Sequence, residues 1–273
     1  MRQFISQSFP DKKGMLSITG KDYRYLKQVL RLKNGDMLSV RLPDGTLQNT
    51  TVCAIYEDSK KIMLQICGDT NGVAEEITRG VKAQQIQKEA LSTEYILLQY
   101  IAKPAKMEQI IVQAVECGVR YILPVIGEFS QKQNVQSMLS GKKDRIERLI
   151  REARQQSGSP VQTEILEPKT TAQAIDFWKE KSSSLKQDEL AIPIVLWERN
   201  ENTKSLKELF TADSASEIKL AAIAVGCEGG ISPEEIKTLT NAGFNTIHFP
   251  GNILRCETAA LYGIAAVQSM INQ

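Results

Sequence analysis

The chain has 273 residues, which is enough for one large domain or two ordinary ones, and two is the better expectation. Its formal charge of +2 is too small to attract nucleic acid through the chain as a whole, so any such affinity needs a local patch. The five cysteines include no CxxC pair, the first residues lack the apolar stretch of a signal peptide, and no window approaches the roughly 20 apolar residues that cross a bilayer. We therefore expect a cytoplasmic chain with reduced thiols.

Short strand-like runs alternate with turns over residues 1–70. A Pro-Asp-Gly turn at 43–45 separates two alternating stretches, which predicts a hairpin within a small β-barrel. Before it, the segment 21–36 predicts one short helix, with Tyr25, Val29 and Leu32 on one face and an Asn-Gly pair at its end. A small barrel with a basic helix is a common RNA-binding plan, although many such barrels bind nothing.

From residue 94 onward the pattern changes to strands that alternate with helices. The preceding polar segment, 71–93, is interpreted as a linker. Strands are predicted at 95–102, 121–126 and 192–198, and helices at 107–118 and 142–158. Such alternation predicts a mostly parallel sheet with helices on both faces, so we assign residues 94–273 to an α/β domain.

Two glycine-rich turns near the C-terminus carry the strongest functional signal. They occupy 224–235 and 250–260, and each follows a short apolar strand and runs into a helical pattern. Glycine lets the backbone approach a ligand closely, and such turns gather at the carboxyl ends of parallel strands. The dinucleotide fingerprint and the phosphate loop are both absent, which disfavours NAD and nucleoside triphosphates. A compact, partly cationic ligand such as S-adenosylmethionine would suit these turns, but spacing alone does not identify it.

The single histidine, His248, argues against two kinds of active site. A Ser-His-Asp triad would have to be built on it, and a zinc site of the usual Cys/His kind would lack a second imidazole. We therefore expect no metal cofactor. His248 is interpreted as a strand-end residue packed under the second glycine turn, with contact to a substrate as the alternative.

The two turns resemble the paired motifs of the SPOUT methyltransferases, specifically the ribosomal RNA small-subunit methyltransferase E family. The motifs read GCEGGISPEE at 226–235 and GNILRCETAALYG at 251–263. The resemblance extends along the chain through RQFI at 2–5, YLKQVLRLKNGD at 25–36, the segment 95–119 and REARQQSGSP at 151–160. It implies methylation of N3 of a uridine in 16S ribosomal RNA, a PUA-like barrel that holds RNA, and a knotted C-terminal domain that binds S-adenosylmethionine and forms a homodimer. The knot would lie in the second turn, as an exception to the rule that chains do not thread their own loops.

Carried over by motif, the resemblance places the cofactor-binding residues at the end of the strand 192–198 and in both turns. They are Leu196, Trp197, Glu198, Gly226, Glu228, Gly229, Gly230, Pro250, Gly251, Ile253, Leu254 and Arg255. The chain departs from the family pattern at four positions. Tyr25 stands for a histidine, Gln113 for a lysine, Ser159 for an arginine and Cys227 for a proline. The cofactor motifs are therefore better kept than the RNA-facing ones.

The expected chemistry assigns roles to three charged residues. Methylation of a uridine N3 requires loss of the imino proton, in-line alignment with the sulfonium methyl, and a cation that favours the developing anion. Arg255 is the candidate cation, unless a salt bridge to Glu257 or Glu228 merely braces the turn. Glu257 could orient Arg255 or act as the base, or it could stabilise the start of the last helix. Glu228 either faces the sulfonium or accepts backbone amides.

Cys227 and Cys256 are interpreted as small buried side chains rather than nucleophiles.

RNA phosphates would need a basic patch, and the N-terminal domain offers candidates. The predicted RNA-binding residues are Arg2, Arg24, Lys27 and Arg31, with Lys33 and Arg41 as further basic side chains.

The final helix is apolar over much of its circumference, which suits either an isologous twofold interface or burial within one subunit. Its apolar residues include Ala259, Ala260, Ile264, Val267 and Ile271.

Together these observations predict a homodimeric, S-adenosylmethionine-dependent RNA methyltransferase whose partner is 16S ribosomal RNA or the assembled small ribosomal subunit. Three alternatives stay open. The chain could be an RNA-binding module that keeps the fold and pocket without turnover, it could methylate a different RNA nucleotide, or it could be a small-molecule enzyme of unrelated α/β type.

Overall fold

A computed structural model describes residues 3–67, 93–140, 143–210 and 217–272. They form two compact units: a first unit of residues 3–67 with 154–160, and a second unit of the remaining described residues. The predicted linker at 71–93 lies outside the described residues, apart from Thr93. The segment 154–160, assigned by sequence to the second domain, groups with the first unit. Gln3 Nε2 donates hydrogen bonds to the carbonyls of Arg154, at 3.0 Å, and Ser159, at 3.1 Å.

The first unit is built on a five-stranded sheet in the order β1-β3-β4-β5-β2. Its strands are β1 Gln3–Ile5, β2 Met15–Ile18, β3 Met37–Arg41, β4 Leu47–Tyr56 and β5 Lys61–Ile66. The pairing of β1 with β3 is parallel and the other pairings are antiparallel. Alternate residues such as Leu38, Val40 and Leu64 point into the core, as a sheet with one buried face requires. The predicted hairpin at 43–45 is confirmed, because β3 and β4 pair on either side of it.

The helix of the first unit is shorter than predicted. Helix α1 spans Gly20–Arg24 and continues as a π-helical turn over Tyr25–Val29. Arg31 then adopts a left-handed backbone conformation with φ 56°, which no helix can continue through. The prediction of one helix ending at the Asn-Gly pair is therefore wrong. That pair forms a separate turn, in which Gly35 N donates to the carbonyl of Val52 at 2.8 Å.

The face predicted for this helix is right at Leu32, which is buried, and at Tyr25, which packs partly buried against the core, but it is wrong at Val29. Tyr23 and Leu26 are buried, whereas Val29 is 62% exposed. The amide of Leu30 bonds to the carbonyl of Tyr25, at 3.0 Å, instead of to the residue four positions back. Because a π turn holds more residues than an α turn, spacing based on 3.6 residues per turn places Val29 on the buried face and misses Leu26.

The second unit contains a seven-stranded sheet. Its strands are β6 Glu94–Tyr100, β7 Tyr121–Ile126, β8 Glu164–Ile165, β9 Lys169–Thr170, β10 Leu190–Leu196, β11 Ile218–Val225 and β12 Asn245–Ile247. The order is β12-β10-β11-β6-β7-β8, with β9 also paired to β7, and every pairing described is parallel. The predicted α/β class with a parallel sheet is confirmed.

Seven helices accompany this part of the described chain. They are α2 Pro104–Glu116, α3 Lys132–Leu139, α4 Lys143–Ser157, α5 Thr171–Ser183, α6 Leu206–Leu209, α7 Pro233–Asn241 and α8 Cys256–Ile271. The sequence analysis predicted α2, α4 and the two helices after the glycine turns, but not α3, α5 or α6. Helix α5 did carry a signal, because a capping box joins Thr170 to Gln173 and Trp178 is buried about two turns after the cap. No helix in the described ranges is long and apolar enough to span a membrane.

The centre of the sheet and helix α8 position the candidate site. Strands β6 and β11 are almost wholly buried, and α8 packs against α2 and β11. Gly263 allows α8 to approach β10, since a Cβ there would lie 2.4 Å from Leu196 Cδ1. Because the strands are parallel, the carboxyl ends of β10, β11 and β12 meet at one edge of the sheet.

Candidate active site

A cavity of about 560 Å3 lies at the carboxyl ends of β10, β11 and β12. Its wall is formed by the end of β10, the first glycine turn, the segment after β12 and the start of α8. The predicted cofactor-binding residues found in this wall are Leu196, Trp197, Glu198, Gly226, Glu228, Gly229, Gly230, Gly251, Ile253, Leu254 and Arg255. Pro250 is exposed and is not part of the wall.

The first glycine turn folds back on itself. The amide of Gly230 bonds to the carbonyl of Cys227 at 3.0 Å, and Gly230 has a φ of +78°. A Cβ on Gly226 would lie 2.7 Å from the carbonyl carbon of Gly230, so only glycine permits the close approach. A Cβ on Gly230 would lie 3.3 Å from Glu198 Oε2. The turn therefore brings bare main chain alongside the Glu198 carboxylate.

Two polar groups hold this turn in place. The side chain of Gln99, at the end of β6, is fully buried, and its Nε2 donates to the carbonyls of Tyr100, Val225 and Gly226 at 2.9, 3.2 and 3.2 Å. Beyond the turn, Ser232 caps α7 and forms a reciprocal capping box with Glu235. The turn is thus anchored to β6 on one side and to a helix start on the other.

The second glycine turn follows β12. Trp197 N donates to the carbonyl of Ile247 at 3.0 Å, and His248 Nδ1 lies 3.3 Å from the carbonyl oxygen of Trp197. His248 is half-buried just past the strand end, as expected of a packed strand-end residue, and its side chain also lines the cavity. Gly251 has a φ of +127°, a conformation that favours glycine. The chain then enters α8 with Arg255 at the N-cap position.

The salt bridge from Arg255 to Glu257 or Glu228, considered from the sequence as the alternative to a catalytic cation, is absent from the described residues. Arg255 is exposed, and no acidic residue in the described ranges forms an ion pair with it. Glu257 is 9% exposed and pairs with Lys106 of α2. The hydrogen bond from Lys106 holds the pKa of Glu257 below its ordinary value. Glu228 accepts the backbone N–H of Lys103 at 3.1 Å, at the start of α2. Thus neither carboxylate braces or orients Arg255 here.

The two cysteines beside the cavity are buried thiols. Burial, and then the hydrogen bond to the neighbouring Glu257 carboxylate, raise the pKa of Cys256 to about 12. Burial likewise raises the pKa of Cys227, whose Sγ donates to the carbonyl of Phe129 at 3.4 Å. Both thiols are protonated at neutral pH, as expected of small packed side chains rather than nucleophiles.

The sequence analysis missed several residues of the wall, and Lys106 is the most informative of them. The further lining residues include Lys106, Val225, Ile231, Ile247, Phe249, Asn252 and Ala259. Helix α2 starts a few residues after β6, whose neighbour β11 leads into the first glycine turn, so its first turn lies at the same edge of the sheet. The sequence did offer one signal that Lys106 has a role in the site: it lies at the start of a helix, where the helix dipole disfavours a cation.

The predicted RNA-binding residues belong to the first unit, apart from Arg2, which lies outside the described residues. Arg24 and Arg31 are exposed. Lys27 Nζ forms an ion pair with Glu57 at 3.0 Å. Arg41, named as a further basic side chain, is buried instead. Its Nε donates to Gln3 Oε1 at 2.8 Å and its Nη1 to the carbonyl of Gly45 at 2.7 Å, so it serves the interior of the sheet.

Within the described ranges, no group of three or more His, Cys, Asp or Glu side chains is arranged to hold a metal ion. The charged side chains that line the cavity in this part of the chain are Glu198, Glu228, Lys106 and Arg255.

Comparisons with known proteins identify the family. The family model for an RNA methyltransferase domain matches residues 89–268. Ribosomal RNA small subunit methyltransferase E of Rickettsia conorii is 29% identical over 245 residues, covering 89% of this chain and 85% of that protein. Ribosomal RNA small subunit methyltransferase E 2 of Borreliella burgdorferi is 25% identical over 252 residues, covering 92% and 89%.

The fold agrees with a solved structure of the same kind. The crystal structure of a ribosomal RNA small subunit methyltransferase E from Neisseria gonorrhoeae, bound to S-adenosyl methionine, has a TM-score of 0.71 at 20% identity and covers 98% of this chain and 97% of that one. At that identity the likeness concerns the fold. The resemblance drawn from the two glycine turns is confirmed, and the chain belongs to the RNA methyltransferase family.

Proposed function

We propose that this RNA methyltransferase transfers the methyl group of S-adenosyl-L-methionine to N3 of a uridine in 16S ribosomal RNA. The observation that carries the proposal is the cavity of about 560 Å3 whose wall joins both glycine turns to the end of β10. Relatives that align with most of the chain bear the name of ribosomal RNA small-subunit methyltransferase E, which supports the substrate. A ribosomal RNA substrate would place the activity in the cytoplasm.

The chemistry of the wall fits a nucleoside that carries a positive sulfur. Glu198 and Glu228 bring carboxylates to the cavity. Gly226, Gly229 and Gly230 line the cavity, so main chain rather than side chains borders it at this turn. Trp197 adds an aromatic ring and a buried indole N–H with no hydrogen-bond partner in the described residues. We assign binding of the methyl donor to the predicted residues that line the cavity, and leave Pro250 unassigned.

The methyl donor supplies an electrophilic carbon attached to a sulfonium. At N3 of the uridine the imino proton leaves, and the nitrogen lone pair forms the new bond to carbon. The carbon–sulfur bond breaks, and its electron pair goes to sulfur. Negative charge develops on N3 and on the carbonyl oxygens beside it, so a cation held in the cavity wall lowers the barrier.

Arg255 is our candidate for such a cation, since it lines the cavity and forms no ion pair within the described residues. Glu257 is assigned to organising the site. Its carboxylate accepts from Lys106 and from the thiol of Cys256, and its lowered pKa makes it a weak proton acceptor. We therefore propose that the imino proton passes to solvent rather than to Glu257.

The finer features of the fold are proposed on the same basis. We propose that the five-stranded first unit is the PUA-like barrel implied by the resemblance, and that Arg24 and Arg31 bind RNA phosphates from its exposed surface. Lys27 would have to exchange its ion pair with Glu57 for one with a phosphate.

We also propose a trefoil knot at the second glycine turn. Two observations support the knot. Strand β12 is the edge strand next to β10, and α8, which follows β12 in the chain, packs against α2 and β11.

We propose that the chain forms a homodimer through α8. The residues Ala260, Ile264, Val267 and Ile271 face the core of the subunit, which leaves a different face free. That face carries Leu261 and Tyr262, the latter 52% exposed and in edge-to-face contact with Phe249 at 4.8 Å between ring centroids. Light scattering at micromolar concentration should give twice the mass of one chain, and a strictly monomeric mass would refute the interface.

Methyl transfer to small ribosomal subunits from a strain that lacks the gene tests the proposed reaction. The purified protein is incubated with subunits and labelled S-adenosylmethionine, and the modified nucleoside is identified by mass spectrometry. We expect N3-methyluridine. A different methylated nucleoside would correct the target. Binding of the donor and RNA without any transfer would identify an RNA-binding module that keeps the fold.

A further inference from the structure

Lys106 occupies a position that local electrostatics oppose. It is in the first turn of α2, which begins at Pro104, and the first turn of that helix contains no acidic residue. The amino end of a helix carries partial positive charge, so a cation there is disfavoured. The side chain of Lys106 is 26% exposed and lines the cavity. The fold therefore brings a positive charge to the cavity wall at a site where helix stability alone would not select one.

Carboxylates from two other elements compensate for this charge. Glu257, in the first turn of α8, pairs directly with the ammonium. Glu228, in the first glycine turn, accepts the backbone N–H of Lys103 and so neutralises the start of α2. The thiol of Cys256 donates to the same Glu257 oxygen that Lys106 contacts. Replacing a buried ion pair by well-packed apolar residues is often neutral or stabilising, so the pair is weak evidence for a role in stability alone.

The pairing leaves part of the ammonium available. A lysine ammonium has three donors, and Glu257 Oε2 accepts from one of them. Because Lys106 lines the cavity, its remaining donors are available to a ligand there. Arg255, the other cation of the wall, has no ion-pair partner in the described residues to fix its guanidinium. A donor held in place before the reaction stabilises developing charge more effectively than one that must be ordered during it.

We infer that Lys106 is a further catalytic residue, whose ammonium donates a hydrogen bond to a carbonyl oxygen beside the reacting nitrogen of the acceptor base. Glu257 is the positioning residue that holds this ammonium toward the cavity. The inference rests on the proposed function, because the charge that Lys106 stabilises is the one that appears when the acceptor nitrogen loses its proton.

Three variants and one control test the inference. Lys106→Met removes the charge at similar length, Lys106→Arg keeps a charge, and Glu257→Gln keeps an acceptor without its charge. Lys103→Met is the control, since it removes a lysine charge at the same helix start from an exposed position outside the cavity wall. Each protein is measured for its single-turnover rate on small ribosomal subunits over a range of pH, for its Kd for S-adenosylmethionine by calorimetry, and for its melting temperature.

We expect Lys106→Met to lower the single-turnover rate by about 100-fold, the scale of one lost transition-state donor, while the Kd stays within a few-fold. The rise of the rate with pH should move to higher pH, because the acceptor nitrogen would lose its proton less readily without the cation. Lys106→Arg should recover part of the rate, Glu257→Gln should fall between the two, and the control should match the wild type.

Different results overturn different claims. A wild-type protein that transfers no methyl group would overturn the proposed function and this inference with it. An active wild type with an unchanged Lys106→Met rate and pH profile would overturn the inference alone. Rate, Kd and melting temperature falling together would assign Lys106 to bracing of the wall. If Lys106→Met does not fold, an unchanged rate and pH profile in Glu257→Gln would overturn the inference.

Discussion

Replacing Gly226 by alanine tests whether the first glycine turn binds the ligand, independently of the effect of the substitution on the stability of the domain. An added Cβ would lie 2.7 Å from the carbonyl carbon of Gly230, whereas an ordinary contact begins at 3.4 Å, so the two arms of the turn must separate by about 0.7 Å. Overpacking of this kind costs about 1–3 kcal/mol, against which a less flexible unfolded chain returns about 0.4–1 kcal/mol. We expect a net loss of about 1–2 kcal/mol, or roughly 2–8 °C in melting temperature for a domain of this size.

The matched control is Gly243→Ala. Gly243 has a φ of +94° and open space where a Cβ would stand, and it does not line the cavity. The left-handed backbone should cost about 1–2 kcal/mol, and after the same gain of about 0.4–1 kcal/mol from a less flexible unfolded chain the net loss overlaps the range expected at Gly226. Thermal melting should therefore give similar decreases for both variants. Calorimetry with S-adenosylmethionine should show at least a tenfold weaker Kd for Gly226→Ala alone. Equal affinities in the two variants would refute the assignment of this turn to the ligand.

Three further predictions concern Arg255, two of the cysteines, and Glu257. Arg255→Ala should reduce turnover by roughly 100-fold and leave the cofactor Kd within a few-fold; cofactor binding that falls in proportion to rate would assign Arg255 to the pocket wall instead. Iodoacetamide should modify the exposed Cys53 of the folded protein while Cys256, whose pKa is raised to about 12, reacts only after denaturation; peptide mass spectrometry distinguishes the two. Because the pKa of Glu257 lies below its ordinary value of 4.5, this group stabilises the folded state above that pH and loses its contribution as the pH falls through the folded value. Acid melting curves should therefore fall more steeply for the wild type than for Glu257→Gln, and parallel curves would contradict the linkage.

The glycine turns could be located from the sequence because their requirement is local. Gly226 and Gly230 lie four positions apart, and the collision that excludes a side chain occurs within the same turn. Strands β7 and β11 were equally accessible, since each is a continuous apolar run, as expected of a strand buried on both faces. Motif and periodicity together therefore predicted the sheet and most of the cavity wall.

The pairing of Lys106 with Glu257 could not be predicted in this way. The two residues are 151 positions apart, and they meet only because α8 packs against α2. Neither local segment indicates which acidic residue Lys106 contacts, and the sequence alone pairs Glu257 most simply with Arg255, two positions away. The π-helical turn after α1 was missed for a different reason, since periodicity assumes the hydrogen-bond spacing that Leu30 breaks.

The close contact between Gly263 and Leu196 connects the cavity wall with helix α8. One side of Leu196 borders the cavity and the other meets α8 so closely that no Cβ fits at Gly263. In a close-packed interior, a displacement of Leu196 by a ligand must be accommodated by α8. The same helix presents Leu261 and Tyr262 on its exposed face. If a bound ligand moves Leu196 and with it α8, occupancy of the cavity and association through that face are thermodynamically linked, and each changes the affinity of the other by the same factor.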